Sequence, residues 1–382
     1  MTQEKKRFYF IDQFRGWAVM FMVETHVVNA FLHYGLRSSM AYKALDFFNG
    51  LIAPSFLFIA GFSFGIVAER KWDDFLHFGK PFWKQLQRCL QILMVGYLLH
   101  MPQFSLRRLV HSLKWWHNSP FWGVDVLHAI AVSLLLMLLL IPAWRRKKYY
   151  FYFLAATAVA VSLLTPLMRM LPIERALPWA FSGYLKRLTY SQFPLFPWMG
   201  FALMGAVVSR LWQEAKREEG EPRFFCRLSY AGLVLVAIFF IIALQPFIPV
   251  AMGSFSPAKP VFFFLKLGLV FILLSFLWWV EQKKGERPVL VTRVGQESLT
   301  AYAFHIAVIF GGYFGPHGHS LAFLVKMTRS WGWVGLVSLA LILVTAGVSL
   351  AWHWLKQERP LIAKRVFWAG TGLLVLYMIF RT

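Results

Sequence analysis

Hydrophobic residues run in long stretches along the chain, separated by short polar connections. A helix needs about 20 mostly apolar residues to cross a bilayer. Eleven stretches approach that pattern: residues 10–33, 46–68, 88–102, 123–143, 149–168, 193–211, 229–249, 261–281, 296–314, 333–355 and 366–380. The third is short and can extend back into Phe82–Lys84; the last is also short. The expected fold is all-α and polytopic, a single transmembrane domain over residues 1–382 with about eleven spans. The first stretch carries Asp12 and Arg15 and is followed by no small-residue cleavage site. It is expected to remain as a helix rather than be removed as a signal.

Composition supports this reading and excludes others. Hydrophobic residues make up 58% of the chain and charged residues 15%, against roughly 45–50% and about 25% in ordinary globular proteins. A cytosolic enzyme of this size could not hide so much apolar surface. With 39 Phe and 17 Trp, the chain is also unlike a disordered one, which has few aromatics. The net charge of +23 raises the question of nucleic acid, but its distribution answers otherwise. Lys and Arg fall nearly two to one in the connections on the N-terminal side, with Arg145-Arg146-Lys147-Lys148 and Lys283-Lys284 as the main runs. Basic residues resist translocation, which places the N-terminus in the cytoplasm. The charge is therefore read as topological, with no nucleic-acid partner, although a basic cytoplasmic face also attracts an anionic cofactor.

Neither a repeat, a low-complexity segment nor a soluble domain is evident. Cys89 and Cys226 both fall on the cytoplasmic side, where thiols stay reduced, and no CxxC or Cys/His pattern is present. His317 and His319, with no carboxylate nearby in sequence, do not read as a metal site; no metal is expected. The inner connection Leu211–Leu228, rich in Glu and basic residues, reads as a solvated helix or linker. The outer connection Arg169–Gln192 and its border contain Trp179, Tyr184, Tyr190 and Trp198. These suit an interfacial aromatic belt, with a sugar-stacking wall as the alternative.

Ionisable side chains at membrane depth are costly and point to function. The first stretch holds Asp12, Arg15, Glu24, His26, Asn29 and His33. At 100° per residue, Asp12, Arg15, His26, Asn29 and His33 share one stripe, and Glu24 lies about 180° away, where it needs a partner from another element. Arg15 and His26 are eleven positions apart, about 16.5 Å along the axis. Such a track suits an elongated ligand or a proton path; the bland alternative is a set of unrelated inter-helix hydrogen bonds. In the ninth stretch Ser298, Tyr302 and His305 follow i, i+4, i+7 spacing and share a face. Burial at that depth favours the uncharged imidazole, which keeps a lone pair for base chemistry or for a packing hydrogen bond. Asp125 and His128 stand three apart at the outer start of the fourth stretch, and His100 ends the third.

Several blocks together carry a family resemblance. Ile11-Asp12-Gln13-Phe14-Arg15-Gly16-Trp17 resembles the opening of the transmembrane acyltransferase superfamily, nearest to the heparan-α-glucosaminide N-acetyltransferase family and its bacterial relatives. Ala53-Pro54 through Phe58-Ile59-Ala60-Gly61 resembles that family's second-helix segment. Phe196-Pro197-Trp198-Met199-Gly200 with Met204-Gly205 resembles its Pro-Trp-x-Gly block. Gly295-Gln296-Glu297-Ser298-Leu299 with Tyr302 and His305 resembles its late Ser-Leu-x-x-Tyr-x-x-His block. Gly123 to Ala131 matches a Gly-Val-Leu-Gln block more loosely, with His128 where Gln is usual. The resemblance spans about residues 10–310. The acid often found four residues before the second-helix proline is Gly50 here, beside Asn49. A related O-acyltransferase branch shares the Arg15-to-His26 spacing, whereas the heparan branch carries its catalytic histidine further along, which puts His33 in contention.

The resemblance implies transfer of an acyl group, acetyl by expectation, from cytosolic acetyl-CoA or another acyl-CoA to a hydroxyl or amine of a glycan or aminosugar on the far side. On that reading His26, His305 and His33 are the catalytic candidates. Arg15, Asp12, Asn29, Ser298 and Tyr302 are the candidates for the coenzyme, and Asn49, Asp125, His128 and Trp198 those for the acceptor. His26 serves either as base or as nucleophile, while Asn29 and His305 stabilise the oxyanion. A bacterial inner membrane suits the lack of a long lumenal domain, and a homodimer is compatible. The competing classes are a transporter or lipid flippase using an intramembrane His/Arg/Asp relay and a non-enzymatic scaffold.

Overall fold

The computed structural model describes residues 8–114, 119–243, 257–285, 289–311 and 320–381. Its main helices are α1 (Tyr9–Phe31), α2 (Met40–Asn49), α3 (Ile52–Arg70), α4 (Lys80–Leu99), α5 (Val126–Leu140), α6 (Lys147–Met170) and α7 (Leu195–Arg217). They continue with α8 (Glu221–Ala243), α9 (Pro260–Lys284), α10 (Leu290–Gln296), α11 (Ser298–Phe310), α12 (Trp331–Glu358) and α13 (Pro360–Phe380). Among the described residues there is no strand, only two isolated bridges. The protein is an all-α polytopic membrane protein. Eight of its helical segments are long and apolar enough to span a bilayer, the first being the α2–α3 segment Met40–Arg70.

Every predicted stretch overlaps a helix among the described residues, with 244–249 and 312–314 lying outside them, and the three outside the eight differ for visible reasons. Helix α1 carries Asp12, Arg15 and Glu24. Helix α4 begins at Lys80 and carries Lys84 and Arg88 on its first half. Helix α11 has only 13 residues, because the ninth stretch breaks at Glu297 into α10 and α11 and ends at Gly311 in the left-handed region. A left-handed glycine is a common helix stop, since it has no Cβ to clash. His317 and His319 lie outside the described residues.

The chain forms two compact units. The first comprises Met1–Ile52, Leu273–Gly311 and His319–Leu376. There α1 packs on α10, α11 and α12, around a core that includes Val27, Val28, Phe31, Leu32, Ile309 and Val334. The contact with α10 is a backbone approach. A Cβ on Gly16 would lie 2.1 Å from the Val291 carbonyl oxygen, and one on Gly295 would lie 1.9 Å from that of Asp12. Small residues are what let membrane helices approach this closely.

The second unit comprises the described residues of Ala53–Ile272 and of Tyr377–Thr382. Helix α7 packs on α6 and α5, and α4 on α5. Here too glycines set a crossing: Gly61 of α3 faces the Ala202 carbonyl of α7, and Gly205 of α7 faces the Phe58 carbonyl of α3. Glu69 at the end of α3 is 5% exposed and draws in Lys147 at 2.9 Å, Arg217 at 3.0 Å and Arg210 at 3.7 Å. Thus part of the basic charge read as topological also closes a buried ion-pair cluster. The inner connection is continuous with helix, since α7 runs to Arg217 and α8 starts at Glu221. Cys89 is buried, Cys226 is exposed, and both are free thiols.

Candidate functional site

Within the first unit, two polar groups lie along α1. Near its start, Arg15 Nη1 donates to Asp12 Oδ1 at 3.0 Å, and the amide of Gln296 donates to Asp12 Oδ2 at 3.1 Å. Asp12 is 6% exposed. Its two oxygens therefore tie Arg15 to the end of α10, an arrangement that the glycine-mediated approach of α1 and α10 makes possible.

Further along, His26 meets His305 of α11. His305 is fully buried and His26 half-buried. His305 Nδ1 lies 2.7 Å from the Ala301 carbonyl oxygen, and its Nε2 lies 3.1 Å from His26 Nδ1. A carbonyl only accepts, so the His305 proton is on Nδ1. Its Nε2 then accepts, so His26 Nδ1–H donates. With both rings neutral, this sets the tautomer of each and places the lone pair of His26 on Nε2. A carbonyl-anchored imidazole orienting a second imidazole is the geometry of a general base with its positioning partner. Phe310 stands edge-on to His26 at 6.0 Å, and Tyr302 edge-on to His305 at 5.6 Å. Ser298 opens α11 two turns earlier.

Other candidates on the predicted stripe take different places. The helix stops at Phe31, and Leu32 turns extended to pair with Arg329. His33 therefore leaves the helical track. It is exposed, and its Nδ1 accepts from the Gly35 backbone N–H at 3.1 Å. Asn29 is exposed, and its carbonyl oxygen accepts from Arg37 at 2.8 Å. Glu24 turns to the other side of α1, as its phase predicts, and its partner there is Asn49, with Thr25 at 3.5 Å. Glu24 also borders a cleft of about 280 Å³ walled by Val28, Leu45, Trp331 and Ser338.

Residues 7–243, more than half of the chain, match the family described as heparan-alpha-glucosaminide N-acetyltransferase, catalytic. The chain belongs to this family. No curated protein matches it. Membership of the N-acetyltransferase family, together with the apolar helices, makes the chain a membrane acetyltransferase in general terms. The matched residues end before α10 and α11, yet Gln296 meets Asp12 of the opening block and His305 meets His26 further along α1.

In the second unit, Asp125 caps α5 and His128 sits on its first turn. The Asp125 carboxylate accepts from the His128 backbone N–H at 3.1 Å and from its ring Nδ1–H at 2.6 Å. Trp198 is 5% exposed, with Phe193, Phe201 and Phe262 around it at 4.8, 6.1 and 5.8 Å. Its ring is covered, so it offers no face for stacking a sugar.

Two polar clusters of this acetyltransferase-family chain went unforeseen. Glu297, 5% exposed, accepts from His353 at 3.1 Å and from Lys356 at 2.6 Å. Those two residues stand three apart on α12, the one signal in sequence that they share a face. His100 joins Asp125 at 3.4 Å; only tertiary packing brings them together.

Proposed function

We propose that this chain moves an acetyl group from acetyl-CoA, presented at the cytoplasmic side, to a hydroxyl or amine of a sugar-type acceptor on the outer side. The observation that carries the reading is the Ala301–His305–His26 hydrogen-bond chain, which leaves His26 Nε2 as the basic nitrogen. In this mechanism His26 Nε2 takes the proton of the acceptor group as its oxygen or nitrogen attacks the thioester carbonyl. The tetrahedral intermediate collapses, the carbon–sulfur bond breaks, and the proton on His26 passes to the departing coenzyme thiolate. Arg15, held by Asp12, which Gln296 in turn anchors, orients the coenzyme's arm, and the basic cytoplasmic rim draws in its anionic nucleotide end. The native setting is a bacterial inner membrane.

Base help of this kind contributes about 10²–10⁴-fold. The test uses the full chain in detergent with radiolabelled acetyl-CoA and, as acceptors, an aminosugar and its N-blocked counterpart. Label should move to the acceptor, and His26→Ala should lower turnover by a factor within that range. Transfer to the aminosugar alone assigns the amine; transfer to both assigns a hydroxyl. Unchanged turnover in His26→Ala would remove His26, and no transfer with either acceptor would remove the reading.

A further inference from the structure

Glu24 and Ser338 stand at one level of the first unit. Glu24 lies seven residues before Phe31, the last of α1, and Ser338 lies seven residues after Trp331, the first of α12. Each is therefore about 10.5 Å from its helix end. Those two ends lie side by side, since Leu32 pairs with Arg329 just outside them. Both residues line the cleft of about 280 Å³, together with Val28, Leu45, Trp331 and Leu339. A cavity of about 150 Å³ already holds a benzene ring, so this one has room for a small organic ligand.

The two polar groups on its wall have unmet bonding capacity. A carboxylate offers about four acceptor sites. Asn49 supplies a hydrogen bond to Glu24. Thr25 lies at 3.5 Å, but its single hydroxyl proton goes to the Phe21 carbonyl oxygen at 2.8 Å. Among the described residues no Lys, Arg or His forms an ion pair with Glu24. A carboxylate at membrane depth is costly unless a cation joins it. Ser338 is 5% exposed, and its hydroxyl has no hydrogen-bond partner among the described residues. Buried hydroxyls are rarely left so, and each exception calls for an explanation.

We infer that this cleft binds a primary aliphatic amine, with Glu24 as counter-ion of the ammonium, Ser338 as a second acceptor and the apolar wall around the carbon chain. An ammonium carries three donors and no acceptor, the complement of two under-used oxygens. Trp331 adds an aromatic side chain to the wall, and aromatic faces attract cations. A carboxylate ligand would meet like charge at Glu24, and an alcohol brings one donor and no charge. The depth of about 10.5 Å suits a free amine that carries its whole chain into the cleft, not a headgroup whose phosphate stays at the membrane surface. Glu24 lies two residues before His26, about 200° round α1. The bound amine is therefore on the other side of the helix from the base of the acyl-transfer reading, and this inference does not rest on that reading.

The test places the full chain in phosphatidylcholine nanodiscs and measures equilibrium binding of radiolabelled hexylamine, a cation at neutral pH, with empty discs subtracted. Saturable binding to a single site is expected. Unlabelled hexylamine should displace the label, and hexanol or hexanoate at the same concentration should not. Glu24→Gln keeps the side-chain shape and an oxygen for Asn49, so it should keep the parental unfolding temperature and weaken binding by about tenfold or more. Ser338→Ala removes a hydroxyl that has no bond to lose; it should fold as the parent does and weaken binding about two- to tenfold. That second variant keeps the test decisive if Glu24→Gln fails to fold. His26→Ala should bind hexylamine as the parent does. No saturable binding, parental affinity in both cleft variants, or equal displacement by hexanol would overturn the inference. Loss of the label's site when ethanolamine phospholipid replaces phosphatidylcholine would overturn it too, by giving the cleft to a lipid headgroup.

Discussion

The closest contact near the candidate site is also the most sensitive to a single methyl group. In Gly295→Ala the new Cβ would lie 1.9 Å from the Asp12 carbonyl oxygen and 2.8 Å from the Gly16 nitrogen. Ordinary contact starts near 3.4 Å, so α1 and α10 must part by about 1.5 Å. Backbone on both sides leaves no flexible side chain to absorb the strain. Overpacking costs about 1–3 kcal/mol, and the same displacement breaks the Gln296–Asp12 hydrogen bond of 3.1 Å, whose charged acceptor makes it worth about 1.5–3 kcal/mol. The terms share one displacement and do not simply add, so the expected loss is about 2–5 kcal/mol. Arg15 loses its anchored partner, and misplacement by about 1 Å can cost 10²-fold in rate. The assay pairs thermal unfolding in detergent, followed by size-exclusion fluorescence, with acetyl-CoA turnover. Gly347→Ala on α12 is the control: nothing lies within 4 Å of its Cβ, and helix propensity there favours Ala by about 1 kcal/mol. A Gly295→Ala protein with parental unfolding temperature and turnover would refute the close approach of α1 and α10, and with it the anchoring of Arg15.

Three further outcomes are expected. His305→Ala removes the acceptor that orients His26; one hydrogen bond of about 1 kcal/mol corresponds to roughly fivefold in kcat, with KM unchanged, well short of the loss in His26→Ala. A raised KM with parental kcat would show His305 to be a binding residue instead. Glu297→Ala strands His353 and Lys356; because Lys356 is 41% exposed, the cost is discounted to about 2 kcal/mol, read as a lower unfolding temperature that Glu297→Gln only partly restores. Glu69→Gln should cost about 1–2 kcal/mol, since Lys147 and Arg217 are 39% and 60% exposed, and the gap between variant and parent should narrow in high salt.

How much of this was legible in the sequence depends on how local each feature is. Helix phase placed Glu24 opposite Arg15 and required a partner from another element, and Asn49 is that partner. The i, i+4, i+7 pattern put Tyr302 and His305 on one face, where they pack together. His33 left the stripe because nothing local announces that Leu32 will turn extended toward Arg329, 297 residues later in the chain. The His26–His305 bond joins residues 279 apart, and Glu297 meets His353 across 56. Periodicity reports which face a residue occupies and says nothing of which face meets which. Trp198 shows the same limit: an aromatic at a span's edge reads as belt, with a stacking wall as the alternative, and packing instead places it among Phe193, Phe201 and Phe262.

The sequence blocks that carry the family resemblance have a physical reason to be spaced as they are. Each of four contains a glycine whose missing Cβ admits a backbone carbonyl from another block or its neighbour. Gly16 of the first receives Val291, just ahead of the fourth, and Gly295 of the fourth receives Asp12 of the first. Gly61 of the second faces Ala202, between the two glycines of the third, and Gly205 of the third faces Phe58 of the second. The blocks therefore act as reciprocal pairs, first with fourth and second with third. Without a hydrophobic drive between helices in lipid, such close packing is a main source of association. In the first pair the same contact also sets chemistry, because Asp12 supplies the carbonyl at Gly295 and the carboxylate that anchors Arg15 and Gln296. A helix crossing and a polar anchor thus depend on one residue, so a change that only loosens packing must also move the charged group at the mouth of the candidate site.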